Sequence, residues 1–253
     1  MSKILLEISY LGTAYCGYQV QPNAPTVQQK LNEAAKALFG FDCDIIGCSR
    51  TDSGVHANQF CATVSEAGKS YLDTNIPVEK IASALSFYLP NDISVYNAKL
   101  VSDDFHPRYN VKSKEYLYLI WNGRERNPFM NDRSWHYPKH IDNDTLDKMR
   151  LAASKLIGTK DFATYMASNS AVTSTVRTIY SVELFRDGNT IGFKICGDGF
   201  LYNMVRIIVG TLIGVAEGKI SPDDIEAITQ SRDRRRAGIT APPHGLYLNK
   251  VNY

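Results

Sequence analysis

The sequence has few cysteines, and no two of them form a C-x-x-C pair. Five cysteines in 253 residues are an odd number, which fits free thiols in a reducing compartment better than a disulfide framework. No apolar run approaches the ~20 residues that a membrane-spanning helix needs. Residues 1–10 alternate instead of forming a basic stretch followed by an apolar block. These absences predict a cytoplasmic protein with no membrane segment and no signal peptide.

The chain also lacks an excess of charge of either sign. Its 28 basic and 26 acidic residues give a net charge of +2, so a polyanionic partner must be bound by local clusters of Lys and Arg. No Gly-rich phosphate-binding loop is present. A hydrophobic content of 44% excludes disorder, and the length suffices for one large domain or two small ones.

Hydrophobic periodicity predicts an α+β (mixed α/β) fold in two halves. The first half has the order β-α-β-β-α-β, with strands at 4–10, 44–48, 59–64 and 93–100 and helices that begin at Pro25-Thr26 and at Pro77. The second half repeats this order, with a strand at 114–121, a helix at 144–157, two strands that flank Asp187-Gly188, helices at 201–217 and from Ser221, and a last strand at 245–252. Two tandem split β-α-β (ferredoxin-like or RRM-like) units are the simplest interpretation, with a boundary between 1–104 and 105–253.

The densest run of chemically versatile residues is Cys48–Ala57, between two predicted strands, with Asp52 at its centre. Asp, Ser and Gly are common turn formers, so composition alone favours a turn. In extended backbone, residues two apart point the same way. The guanidinium of Arg50 can then hold Asp52 ionised, as a nucleophile or base requires, or form an ordinary salt bridge with it.

A metal site near this run is not expected. Spacings of four, seven and four residues match no common zinc pattern, and strand cysteines are usually buried hydrophobes; the residues concerned are Cys43, Cys48, His56 and Cys61. No catalytic partner for a Cys-His or Ser-His pair is evident, which leaves a hydrolase triad unsupported. His56 is expected to serve a local hydrogen bond.

Aromatic and basic residues interleave at Phe105–Tyr109 and Lys112–Tyr118. Planar side chains on a sheet can stack on exposed bases, and adjacent Lys and Arg can hold phosphates, although tyrosine in a strand also serves core packing. Arg206 lies within an apolar helix, where a charge needs a buried partner or a cleft. The strongest positive cluster is either a phosphate-binding surface or a solvated face, and it comprises Arg232, Arg234, Arg235 and Arg236.

Five blocks of the sequence occur in a recognisable order. They are Tyr10-Leu11-Gly12-Thr13-Ala14-Tyr15-Cys16-Gly17-Tyr18-Gln19, Arg50-Thr51-Asp52-Ser53-Gly54-Val55-His56-Ala57, Phe105–Tyr109 with Lys114-Glu115-Tyr116, Gly199-Phe200-Leu201-Tyr202-Asn203-Met204-Val205-Arg206, and Gly245-Leu246-Tyr247-Leu248. Together they resemble the tRNA pseudouridine synthase A family over nearly the whole chain. Departures from the commonest pattern are Ser49, Pro107 and Pro242-Pro243-His244, and none removes a catalytic side chain.

The resemblance implies isomerisation of uridine to pseudouridine at positions 38, 39 and 40 of the tRNA anticodon stem-loop, without a cofactor or a metal. By the family pattern Asp52 is the catalytic nucleophile, attacking the ribose carbon or C6 of uracil, or acting as a base toward a glycal. The substrate-binding residues are Tyr116, which stacks on the uracil, Arg50 and Arg206, which line the site, and Leu246, an apolar wall. Further RNA contacts are expected from Arg108, Lys112, Lys114, Arg234 and Arg235.

The resemblance also implies how the protein is assembled and what it binds. Residues 1–104 carry the Asp52 loop and 105–253 complete the active-site cleft, with a mixed central sheet flanked by helices. The partners are tRNA and a second copy of the chain in a homodimer.

Two alternatives remain open from the sequence. One is a paralogue that modifies other tRNA uridines, since docking of the tRNA sets the target position. The other is a non-catalytic RNA-binding or tRNA-chaperone module. A nucleoside or glycoside hydrolase is disfavoured, because glycoside hydrolysis normally needs two carboxylates and no second acid stands out near Asp52.

Overall fold

The computed structural model describes residues 3–167 and 172–253. The strands are β1 (Lys3–Tyr10), β2 (Cys43–Gly47), β3 (His56–Glu66), β4 (Ile93–Val101), β5 (Ser113–Trp121), β6 (Trp135–His136), β7 (Gly158–Asp161), β8 (Val176–Asp187), β9 (Thr190–Gly197) and β10 (Leu246–Asn252). The helices are α1 (Val27–Phe39), α2 (Val78–Tyr88), α3 (Asn143–Ser154), α4 (Met204–Ala216) and α5 (Ile225–Gln230).

The chain divides into two compact units, Met1–Lys112 with Tyr247–Tyr253, and Ser113–Leu246. Residues 105–112 pack within the first unit: the Phe105 ring lies 5.0 Å from that of Tyr253, whose hydroxyl donates to the Pro107 carbonyl. A functional boundary at residue 104 stays a prediction.

The first unit has the predicted order β-α-β-β-α-β. Its strands follow the order β4-β1-β3-β10, with β2 paired to β3; β10 runs parallel to β3 and the other pairs are antiparallel. Helix α1 is capped as its sequence predicts: the Thr26 side chain accepts from the Gln29 N–H, and Gly40 adopts the left-handed conformation at φ +79°. Apolar residues of α1 and α2 are buried with those of β1 and β3, among them Leu31, Leu85, Leu6, Ile8 and Phe60.

The second unit contains an antiparallel sheet in the order β5-β9-β8-β7, with β6 parallel to β5. Helix α4 is buried along almost its whole length, as the apolar sequence predicts. It begins at Met204 rather than at residue 201, because Asn203 adopts a left-handed conformation at φ +59° and ends the preceding turn.

Mixed parallel and antiparallel pairing with flanking helices confirms the predicted mixed α/β class. Strands β6 and β7 were not predicted from the sequence, since segments of two and four residues are too short to show a periodicity of two. Among the described residues, no helix has the length and apolar character to cross a membrane.

Candidate active site

Asp52 lies in the loop that joins β2 to β3. Thr51, the residue before it, is hydrogen-bonded through both its carbonyl and its hydroxyl. The Tyr18 N–H donates to the Thr51 carbonyl at 3.2 Å, and the hydroxyls of Tyr10 and Thr51 are hydrogen-bonded at 2.8 Å. The Thr51 side chain is buried, so its hydroxyl needs this partner. These bonds fix the backbone on the N-terminal side of Asp52.

A tight turn fixes the other side of Asp52. The Val55 N–H donates to the Asp52 carbonyl at 3.1 Å, and Gly54 has φ +77°, a conformation that glycine adopts without strain. The Gly54 N–H donates to the Tyr15 carbonyl at 3.3 Å. Asp52 itself is half-buried. The structure therefore has the turn that the composition predicts, and the turn presents the carboxylate from a fixed backbone.

The residues between Gly12 and Gly17 pack directly on this loop. The Gly12 N–H donates to Nδ1 of His56 at 2.8 Å, so that nitrogen carries no proton, and the His56 side chain is fully buried. A Cβ added to Gly17 would lie 2.6 Å from the Thr51 carbonyl oxygen, and Gly17 has φ +86°. His56 thus serves a hydrogen bond, as expected, but the partner lies 44 positions away in the sequence and not in its own loop.

Arg50 is exposed and forms no ion pair with any described residue. The suggestion that it holds Asp52 ionised is not supported by this geometry. Residues 50–52 lie in the loop between β2 and β3 and belong to neither strand. A role for Arg50 in binding substrate stays a prediction.

In the second unit, Tyr116 lies on β5 with its ring edge-on to Phe200 at 5.0 Å and is only 8% exposed. Two residues further along the same strand, the buried Tyr118 donates its hydroxyl to the Pro242 carbonyl at 2.7 Å. Burial raises the pKa of Tyr118, so it keeps its proton at neutral pH. Strand β5 thus carries two buried tyrosines on one face.

Arg206, in the first turn of α4, has neutral oxygen partners. Its Nη1 donates to Oδ1 of Asn203 at 2.6 Å, and its Nε donates to the Ala241 carbonyl at 2.7 Å. The Ala241 N–H in turn donates to the Arg206 carbonyl at 3.1 Å. The buried partner that the sequence requires is therefore present, and the plane of the guanidinium is fixed at two nitrogens.

Leu246 is nearly buried and follows the turn Pro243–Gly245. A Cβ on Gly245 would lie 2.6 Å from the Tyr118 ring, so only glycine fits there. Burial lowers the pKa of His244; the charge of Asp132 opposes this shift and that of Arg206 adds to it, and the net shift is downward. Within the second unit, contacts through 241–245 connect Tyr118, Arg206 and Leu246.

Comparison with known proteins identifies the family of the chain. A family model described as tRNA pseudouridine synthase matches residues 8–110 and 152–253, which is more than half of the chain. The chain belongs to the tRNA pseudouridine synthase family. Proteins named tRNA pseudouridine synthase A are 46% identical in Thermoanaerobacter sp. (strain X514), 44% in Acetivibrio thermocellus and 41% in Clostridium acetobutylicum, each over 100% of both chains.

A solved structure entitled "Crystal Structure of a Cbf5-Nop10-Gar1 Complex" matches 96% of this chain and 57% of that one, with a TM-score of 0.37 at 10% identity. That similarity is too weak to bear on the function of the chain. Membership of the synthase family rests on the family model and on the full-length relatives.

The basic residues expected to bind RNA in this synthase differ in their exposure and in the partners they already have. Arg108 is exposed beside the Tyr109 ring, Lys112 is exposed, and Lys114 is half-buried on β5. Arg234 points inward and donates to the Gly238 carbonyl at 2.8 Å and the Thr240 hydroxyl at 3.1 Å, and burial lowers its pKa. Arg235 pairs with Asp233 at 2.8 Å. RNA binding by these residues stays a prediction.

The cysteines of this synthase are free, and Cys48 and Cys61 are buried against each other. Burial raises the pKa of Cys61 to about 12, so it is a protonated, unreactive thiol at neutral pH. In the described part of the chain, no group of three or more His, Cys, Asp or Glu side chains is placed to hold a metal ion.

Positioning residues of the candidate site were missed from the sequence. Tyr10, His56 and Tyr118 lie within or beside the five sequence blocks, but their partners are 41 to 124 positions away. Asn203 accepts from Arg206, three positions away, from a left-handed conformation. Asparagine before an apolar helix is a common cap, but the Asn203 side chain makes no capping bond and accepts from Arg206 instead.

Proposed function

We propose that the chain isomerises uridine to pseudouridine at positions 38, 39 and 40 of the tRNA anticodon stem-loop, with Asp52 as nucleophile. The observation that carries this proposal is the fixed presentation of Asp52. Thr51, the residue before it, is hydrogen-bonded to Tyr10 and Tyr18, and the Asp52 carbonyl accepts from the Val55 N–H, so the backbone is fixed as a catalytic carboxylate requires.

The reaction exchanges one glycosidic bond for another without oxidation or hydrolysis. The bond from N1 of uracil to the ribose carbon breaks, the base turns, and C5 bonds to the same carbon. C5 releases its proton to solvent, and N1 gains a proton. A single carboxylate that attacks and later leaves is sufficient for this sequence.

The other residues bind and orient the base. The Tyr116 ring stacks on the uracil, Leu246 provides an apolar wall, and Arg206 binds an anionic group of the substrate with a guanidinium already oriented by Asn203 and Ala241. A base within a helical stack is out of reach, so the uridine must flip out, which costs a few kcal/mol that stacking and phosphate contacts offset.

The partner in this proposal is tRNA, bound by a homodimer in the cytoplasm. Light scattering at micromolar concentration should give the mass of two chains. The mass of a single chain would remove the dimer from the proposal while leaving the chemistry intact.

Release of tritium from tRNA labelled at C5 of uridine tests the role of Asp52. The variant Asp52→Asn should bind tRNA normally and lower the release rate by at least about a thousandfold, because it removes the nucleophile and preserves the shape of the side chain. Asp73→Asn, at an exposed loop position, is the matched control and should release tritium at the wild-type rate. Wild-type release by Asp52→Asn would exclude the nucleophile assignment.

Positions are tested with tRNA transcripts that carry a single uridine at 38, 39 or 40. Carbodiimide-dependent stops of reverse transcription should appear at each of these positions after incubation with the wild-type protein. Stops at other uridines only would support the paralogue. Binding without stops anywhere would support an RNA-binding or chaperone module, and free uracil in the supernatant would indicate a hydrolase.

A further inference from the structure

The segment that joins β5 to β6, here the 122–134 loop, presents the most exposed large apolar side chain of the described residues. Phe129 is 85% exposed on a single 3-10 turn, Pro128–Met130. Isolated exposed apolar residues are common on protein surfaces and need no explanation by themselves. Phe129 differs because the loop that carries it is ordered and contains exposed arginines.

The 122–134 loop is held in one shape by hydrogen bonds at its base. Strands β5 and β6 pair at Ile120 with Trp135, so the loop leaves and returns at one place. The Trp121 indole N–H donates to the Glu125 carbonyl at 2.8 Å, and the His136 ring is hydrogen-bonded to the Gly123 carbonyl at 3.1 Å. The backbone that carries Phe129 is therefore ordered before any partner binds.

The tip of the loop is built from consecutive turns. The Phe129 N–H donates to the Asn127 side chain at 3.0 Å, and the Met130 N–H donates to the Asn127 carbonyl at 3.0 Å. The Arg133 N–H then donates to the Met130 carbonyl at 3.1 Å, and the Ser134 hydroxyl donates to the same carbonyl. Such a tip exposes the ring of Phe129 with little conformational entropy left to lose on binding.

The same loop is basic. It contains Arg124, Arg126 and Arg133, all exposed, against two acids, Glu125 and Asp132. Arg126 forms no ion pair with any described residue, and Arg124 meets only Glu125, at 3.8 Å, with both side chains almost fully exposed. An exposed pair of that kind contributes little and is readily exchanged for a phosphate.

The positions of ring and charge match a nucleotide. Arg126 lies three residues from Phe129, and an extended chain spans ~3.4 Å per residue, so their Cα atoms are within about 10 Å of each other. A planar ring beside a free guanidinium is the arrangement with which proteins bind unpaired bases and their phosphates. Paired bases are already stacked and cannot use the ring.

We propose that the 122–134 loop is a docking surface for an unpaired nucleotide of the RNA substrate, with Phe129 stacked on the base and Arg126 bound to the phosphate. The identity of the RNA as tRNA rests on the proposed function. The 122–134 loop carries three arginines against two acids, a net positive charge that is complementary to phosphate and repels the same loop of a second copy, which favours RNA as the occupant.

The test is filter binding of a tRNA transcript to Phe129→Ala, Phe129→Tyr and Arg126→Ala. Phe129→Ala should weaken binding at least about fivefold, the lower range for loss of one stacked base, and Phe129→Tyr should bind as wild type. Arg126→Ala should weaken binding and reduce the salt-dependence slope by about 1, as expected for one lost phosphate contact. Phe87→Ala removes a phenylalanine that is 83% exposed on α2, without a neighbouring arginine in the sequence, and should change nothing.

A fully paired RNA duplex separates stacking from a general loss of affinity. The wild type and Phe129→Ala should bind the duplex equally. The proposal is overturned if the wild type and Phe129→Ala bind tRNA with equal affinity. It is also overturned if Phe129→Ala loses as much affinity for the duplex as for tRNA. A lower mass of Phe129→Ala than of the wild type in sedimentation would show that Phe129 lies at an interface between copies of the chain instead.

These measurements do not depend on catalysis. If the wild type binds tRNA but forms no pseudouridine, the proposed function fails while the affinities of the variants still decide the role of the loop.

Discussion

The buried bond between Gly12 and His56 makes the position of Asp52 depend on a residue that takes no part in the chemistry. His56→Ala would leave the Gly12 N–H without its acceptor and a cavity where the imidazole packs 4.7 Å from the Tyr247 ring. His56→Asn keeps an oxygen where Nδ1 lies, so it retains the acceptor and loses only part of the ring. The two variants therefore separate the hydrogen bond from the packing.

The magnitudes follow from burial. Loss of the acceptor and of the ring together should lower the free energy of unfolding by about 3–5 kcal/mol in His56→Ala, against about 1–2 kcal/mol in His56→Asn. For a chain of this size the melting temperature should fall by about 6–15 °C in the first variant and about 2–6 °C in the second. Because a displacement of about 1 Å at a reacting group can lower the rate by as much as a hundredfold, kcat of His56→Ala should fall ten- to a hundredfold.

Thermal unfolding by circular dichroism and tritium release at 20 °C below the melting temperature of each variant measure the two effects. His56→Asn should retain most of the wild-type kcat, with KM for tRNA unchanged in both variants. Equal losses of melting temperature and of kcat in the two variants would show that the hydrogen bond between Gly12 and His56 contributes to neither stability nor activity. A wild-type melting temperature for His56→Ala would refute the burial argument itself.

Three further perturbations test other parts of the structure. Hydrogen bonds from Lys139, the largest cause, and from Lys219 and Tyr137 lower the pKa of Glu217 from its ordinary 4.5 to about 2. The stabilisation of the folded state by the ionised Glu217 is therefore present above pH 4.5 and is lost as the pH falls toward 2. Glu217→Gln should lower the melting temperature at pH 7 by about 2–4 °C, which allows for solvent screening of the ion pairs. Near pH 2 the melting temperature of Glu217→Gln should equal that of the wild type. Gly17→Ala should lower the melting temperature more than Gly40→Ala, since both have a positive φ but only the first would place a Cβ against a carbonyl oxygen, and equal losses would contradict this. Asn203→Gly keeps the left-handed backbone and removes the oxygen that accepts from Arg206, so kcat should fall while Asn203→Asp retains activity; equal kcat values would exclude a positioning role for this bond.

Local patterns predict most of the secondary structure, because helices and strands of eight residues or more show their periodicity in the sequence. Helix α1, from the Thr26 cap to Gly40, is the clearest example. Strand β7 and the start of α4 are different, since four residues show no period and hydrophobic periodicity does not indicate the left-handed conformation of Asn203. The expected pairing of Arg50 with Asp52 is not seen, because the exposed Arg50 lies in a loop and forms no ion pair with any described residue.

The sequence by itself determined the order of the elements, the loop that carries Asp52 and, through its motif blocks, membership of the synthase family. It also showed that Arg206 needs a partner. Only the tertiary structure decided what those partners are: Asn203 and Ala241 for Arg206, Gly12 for His56, Thr51 for Tyr10. It also decided which arginines point inward, as Arg234 does, and which remain exposed, as Arg126 does. The physical reason is that Gly12, Ala241 and Thr51 lie far along the chain from the side chains they bond, so only the folded chain brings the bonded atoms within about 3 Å of each other.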